Sequence, residues 1–521
     1  MKKILLFMLL FTGYMFHYEK AAGQEITLNF IDEPKTIDPQ LATDTSATKL
    51  IELLSEGLTR EDENGNAMPG IAEKWDVSKD GLVWTFHLRD AKWENGSPVT
   101  ADDFKFAWLR ALDPKVGSEY VYMLYEIKGA EAFNTGKGTK EEVGIKVIDS
   151  KTLEVRLKHP VEYFSKLVSF SVFKPTSEKY FNGYKEKYGT EIILSNGPYK
   201  LVKWKHNDIL YLKKNENYWN KDQIKISDIK IELINDTSES LELFEDGYLD
   251  VTAITADQYQ EFKDDKRLTP YFDGSVWYLE YNLKNKFLGN KKIRKALDMA
   301  LDKEELGEVL GKMGEPAYGY VPKTILGLNK SFREEAGDTF SHYNGDEARK
   351  LFAEGLKELG MDKAPKISMI FNDSGNNKKI VYYIQEKLRK ELDFEVDVQL
   401  LAFKERLSKM TQKDFDIVLA GWSADYSDAL SFMDLWLTDG GNNHASYANP
   451  KYDRLIKTAE MSPDKKIRIN ALINAEKILG EDVPISMLYF RKQVALVNPR
   501  LKNMKFKPTG SEFYLYDASL E

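Results

Sequence analysis

The segment from 366 to 426 constrains the fold of this chain more than any other. Residues 366–371 read as a strand, and 378–390 as a helix whose apolar side chains are Ile380, Tyr383, Ile384 and Leu388. Phe394, Val396, Val398 and Leu400 alternate as in a strand, and a short helix over 404–410 follows. The apolar run Phe415, Ile417, Val418, Leu419, Ala420 then reads as a buried strand that stops at Gly421-Trp422-Ser423-Ala424-Asp425-Tyr426. Strand, helix, strand, helix, strand implies right-handed crossovers and a parallel sheet. Ligands bind beyond the carboxyl ends of such strands, where Asp425 falls, although an Asp at that point also suits a turn or helix cap.

A chain of 521 residues exceeds what one core supports, so two or three lobes are expected. Lys2 and Lys3, the largely apolar run 4–16 and the small residues Ala21-Ala22-Gly23 have the pattern of a secretory leader, with the mature chain starting near Gln24. Cleavage there takes the formal charge from −9 to −11, which argues against a nucleic-acid partner. The chain has no cysteine, which removes disulfides, thiolate metal sites, Cys nucleophiles and a lipid-modified cysteine at the leader's end. Histidines are scattered, without metal-ligand spacing, and nothing in the sequence asks for a cofactor.

Further strands are read at 25–30, at 82–89, at 151–157 as an edge, and at 275–282. A hairpin is read from 197–204 to 209–212, and 224–234 alternates. Helices are read at 49–58, 238–244 and 292–301, with a loop at 314–319. Thr100-Ala101-Asp102-Asp103 has the form of a capping box.

Ala72-Glu73-Lys74-Trp75, the run from Trp84 to Arg89, and the run from Asn95 to Phe104 stand in the order and spacing of a family signature. With Gly197-Pro198-Tyr199, Ile293-Arg294-Lys295-Ala296-Leu297 and the 421–426 segment, the chain resembles the bacterial extracellular solute-binding proteins of the peptide and nickel class. Within that class it most resembles the oligopeptide-binding proteins of ABC importers. The resemblance implies a two-lobed α/β fold like that of periplasmic binding proteins, with a hinge and an extra α+β domain inserted in the first lobe. The first lobe would comprise 24–55, 180–273 and 491–521, the inserted domain 56–179, and the second lobe 274–490. It further implies a monomer that takes up a peptide and presents it to a membrane permease.

By the same resemblance Asp425 would meet the α-ammonium of the peptide. The backbones of Gly421-Trp422-Ser423 and of Thr43-Asp44-Thr45 would flank the ligand, and Tyr120, Trp277, Tyr278 and Glu280 would line side-chain pockets. Where relatives place cations for a ligand carboxylate this chain has Leu419, Met410 and Asn377, with Lys404 or Lys409 as substitutes. Two other readings stay open at this point. One is the same fold holding a nickel chelate, haem or an oligosaccharide; the other is a secreted hydrolase using Asp425 and Glu280.

Overall fold

The computed structural model describes residues 24–311, 313–424, 426–438, 440–508 and 512–521. Asp425 and the leader lie outside them. Three main sheets organise the chain. The first runs Glu25–Phe30, Asp228–Leu233, Ile209–Lys214, Tyr199–Lys205. Its outermost pair is parallel, with Ile26 opposite Ile229, and the expected hairpin makes the other edge. Alternate residues Ile26, Leu28 and Phe30 point onto a core shared with Leu50 and Leu54 of the helix Thr45–Leu54. That helix starts four residues before the expected 49, because Asp44 caps it: the carboxylate accepts from the Ala47 amide at 2.7 Å.

The second main sheet is a small antiparallel one, Ala72–Val77, Val83–Leu88, Thr152–Arg156, Ile145–Asp149. The strand read as an edge at 151–157 is an inner one, flanked on both sides. Its polar residues face outward from a sheet with one wet face, so charge alternation resembled an edge. The helix Ala101–Leu112 packs nearby, opened by the expected capping box in which the Asp103 carboxylate accepts from the Thr100 amide at 2.8 Å.

The largest sheet runs Val251–Ala253, Ile485–Val497, Leu268–Tyr281, Ile417–Ser423, Ile367–Asn372, Val396–Leu401. Its last three strands are parallel and joined by the helices Asn377–Leu392 and Phe403–Gln412, as the periodicity indicates. The sheet as a whole is mixed, because Leu268–Tyr281 lies antiparallel to Ile417–Ser423 with Trp277 opposite Gly421. Gly314–Pro316, read as a loop, adds a short strand on Ile485–Val497. Both faces of the Ile417–Ser423 strand are covered, and Ile417, Val418, Leu419 and Ala420 are all buried. At ~25 cal/mol per Å² of apolar surface removed from water, this burial stabilises the strand in the sheet interior.

Two long strands, Leu268–Tyr281 and Ile485–Val497, run side by side from the first core into the second. Their ladder is interrupted midway: Phe272 pairs with Lys492 and Val276 with Phe490, so three residues face Arg491 alone. Gly274 in this bulge has φ +67°, and a Cβ there would run into the carbonyl oxygen of Pro508. Arg491 Nε donates to Asp273 Oδ2 at 2.6 Å, and its Nη2 to Ser275 Oγ at 3.1 Å.

Candidate functional site

The Ile417–Ser423 strand loses its neighbour before it ends. Ile367–Asn372 pairs with it only at Ile417 and Val418, and the Leu419 carbonyl takes a hydrogen bond from Arg406 Nη1 at 3.1 Å. Leu268–Tyr281 pairs with it to Ser423 on the other side. Among the described residues no strand continues beside Gly421–Ser423 on the open edge, and both Gly421 and Ser423 are exposed. Unpaired amides and carbonyls on an edge are ready to bond another extended chain. Gly421 is required here, because a Cβ would stand 2.9 Å from the Trp277 ring. That ring is held parallel to Tyr489 at 6.2 Å.

The last residue of this strand, Ser423, borders a cavity of about 240 Å³. Thr45 lies on one wall, and Ser275, Ser423 and Ala424 on the other. Ser275 and Ser423 share a hydroxyl hydrogen bond at 2.6 Å, fixing the strand end against its neighbour. Asp44 belongs to the same loop as Thr45, but its carboxylate is committed to the helix cap and to the Lys35 amide. Thr43 precedes it, half-buried.

Trp422 sits half-buried at the edge of a second cavity, with Nε1 donating to the Ser431 carbonyl at 2.7 Å. Of the tyrosines near 120, the exposed Tyr122 lines that cavity, whereas Tyr120 is half-buried and meets Phe170 edge-on at 5.0 Å.

Two residues named from the sequence are placed elsewhere. Tyr278 is buried and packs edge-to-face on Tyr320 and Trp436 at 5.6 and 5.9 Å. Glu280, two residues on along the same face, is 1% exposed. Alternation marked these side chains as sharing a face, but both faces of this strand are packed.

Burial pushes the Glu280 carboxyl up to about 8, against the Ala445 amide and the Arg406 and Lys413 charges, which favour ionisation. Its Oε1 has no hydrogen bond, and the nearest base is His444 Nδ1 at 4.0 Å. A carboxyl raised on folding is a liability above its unfolded value of 4.5 and is fully so above about 8. Glu280→Gln is therefore expected to leave stability unchanged near pH 4. Its advantage over the parent should grow through pH 4.5–8 to on the order of a few kcal/mol, read from urea midpoints across pH. A pH-independent difference would sink this account.

Leu419, Met410 and Asn377 are all buried inside the lobe, and Lys409 is paired with Asp414 at 2.7 Å. What sequence reasoning missed is the set of contacts holding the loop after position 425. Asp428 is buried and takes two hydrogen bonds from Arg468, at 2.8 and 2.6 Å. Burial would raise the Asp428 carboxyl, but the Arg468 guanidinium outweighs it and holds it below the usual carboxylate range. The same guanidinium lies 5.0 Å from the Tyr163 ring, which stacks on Tyr426 at 4.9 Å. Lys166 Nζ donates to the Ser427 carbonyl at 2.7 Å. These partners stand 40 and 261 residues apart, so no local pattern links them.

Among the described residues no cluster suits a metal ion, and no helix is long and apolar enough to cross a membrane.

Comparison with known proteins places this geometry. The chain is similar to the dipeptide-binding protein DppE of Bacillus subtilis, 34% identical over 94% of this chain and 91% of that one. It is equally similar, at 34% and the same coverage, to the oligopeptide-binding protein OppA of that organism. Among solved structures it resembles Listeria monocytogenes OppA bound to peptide, with a TM-score of 0.77, 33% identity, and coverage of 96% of this chain and 99% of that one. The model of the middle region of the bacterial extracellular solute-binding proteins, family 5, matches residues 66–444, and the chain belongs to that family.

Proposed function

We propose that this protein captures oligopeptides outside the cytoplasm, closes its lobes over them, and delivers them to the membrane permease of an ABC importer. The observation that carries this reading is the unpaired strand edge at Gly421–Ser423, whose last residue shares a cavity with Thr45. A peptide lying there as an added strand would bond through its main chain, which tolerates any side chain. Asp425, directly beyond that edge in sequence, would supply the charge that fixes the peptide's amino end. Trp277 and Trp422 would flank the ligand, while Tyr278 and Glu280 are dropped from the contact set because they are buried. Lobe boundaries at 273/274 and 490/491 would coincide with the interrupted ladder around Gly274 and Arg491, which supports these two strands as the hinge. The leader would direct export, and the mature chain would act as a monomer without a cofactor.

The protein performs no chemistry in this reading. Native mass spectrometry of gently purified protein should show peptide-sized adducts. A defined tripeptide added in excess should displace them and come back intact after hours at 37 °C on denaturing the complex. Cleaved peptide, or an adduct that is a sugar, haem or metal chelate, would overturn the proposal.

A further inference from the structure

A second cavity, of about 250 Å³, is lined in part by Trp422 and Tyr426. Its walls come from both halves: Tyr122, Glu126 and Tyr163 on one, Trp422, Tyr426 and Glu460 on the other. Four aromatic rings line this space, with the carboxylates of Glu126, Asp434 and Glu460 and the basic Lys158 and His159 among them. Glu126 is matched locally, with His159 Nε2 at 2.9 Å and Lys158 Nζ at 4.0 Å. Glu460, half-buried on the helix Pro450–Met461, is different. It makes no hydrogen bond or ion pair among the described residues, and Asp434 adds a further acid to the lining.

A carboxylate withdrawn from water without a donor is costly, and a cation entering the cavity would relieve that cost. Burial raises the Glu460 carboxyl, with the Glu126 charge acting the same way and the His159, Lys158 and Lys457 charges opposing it. The rings suit the same visitor, because a cation within about 6 Å of a Tyr or Trp face is attracted by its quadrupole. Trp422 in its lining belongs to the strand end proposed to hold the peptide backbone.

We propose that this cavity selects a basic side chain, lysine or arginine, on the bound peptide, with Glu460 as the specificity-determining carboxylate. The inference rests on the peptide-binding reading above. An aromatic or apolar side chain is the competing occupant.

The test is calorimetric titration of the purified protein with alanine tripeptides carrying lysine at position 1, 2 or 3, each matched to its norleucine analogue. Norleucine keeps the length and loses the charge. At one position lysine should bind about tenfold tighter than norleucine. Glu460→Gln should abolish that preference while leaving norleucine affinity unchanged, and Glu460→Lys should invert it. Melting curves of the variants check that they fold. Equal binding of lysine and norleucine at every position, or a preference surviving in Glu460→Gln, overturns this inference and leaves the peptide reading standing. Failure of every tripeptide to bind overturns both.

Discussion

Replacing Asp425 by asparagine is expected to weaken binding of a tripeptide with a free amino terminus by about a hundredfold or more. The argument is electrostatic. A peptide held as a strand satisfies its amides and carbonyls by main-chain bonds, but its terminal ammonium needs an anion once water is excluded. Asparagine keeps the size of the side chain and removes the charge, so the ammonium would be buried unmatched. The paired control is the N-acetylated tripeptide. It should bind the parent protein weakly, because Asp425 then lacks its partner, and should not be weakened further by the substitution. If Asp425→Asn binds the free tripeptide as the parent does, the anchor is elsewhere.

The second large effect concerns stability. Arg468→Leu is expected to cost about 3–5 kcal/mol, because it leaves the buried Asp428 carboxylate without its two donors. That is a sizeable share of the ~5–15 kcal/mol typical of a folded domain. The double replacement Arg468→Leu, Asp428→Leu should recover most of the loss, since a buried ion pair is worth little against apolar residues of similar volume. Guanidinium midpoints of the three variants separate these outcomes. An unchanged midpoint in Arg468→Leu would show that the pair does not hold the loop. Peptide affinity should fall with stability in the single variant, because the loop it secures follows position 425 directly.

The crossover pattern at 366–423 was readable because buried parallel strands and amphipathic helices have distinct periods, and both were long enough to show them. The hairpin ending in Ile209–Lys214 and the capping box at Thr100 were readable for a similar reason: each is fixed by neighbours in sequence. Pairing between distant strands was not. Nothing near Ile417–Ser423 announces that an antiparallel strand lies beside it, so a mixed sheet was read as parallel. Asp44 differs: its side chain is a good helix cap, but the apolar periodicity starts only near 49, so the pattern hides the first turn that Asp44 opens.

For the site, the strand end at Gly421–Ser423 was legible from an apolar run that stops abruptly. The burial of Tyr278 and Glu280 was not, because packing on both faces depends on Tyr320, Trp436 and other residues far away in the chain. The contacts that secure the following loop come from Lys166, Tyr163 and Arg468, each on a different element, and only the folded chain brings them together.

The interrupted ladder at Gly274 bears on how the protein can be emptied. Both strands lack regular pairing at this level, so if the proposed hinge lies there, turning the lobes would disturb few backbone bonds. On the proposed lobe boundaries, the work of opening would then reside in side-chain contacts such as the Tyr163 and Tyr426 rings and the Lys166 bond to the Ser427 carbonyl. A membrane partner that prises those contacts apart would free the cargo without straining the strands, and the rate of unloading could be tuned without altering what is held.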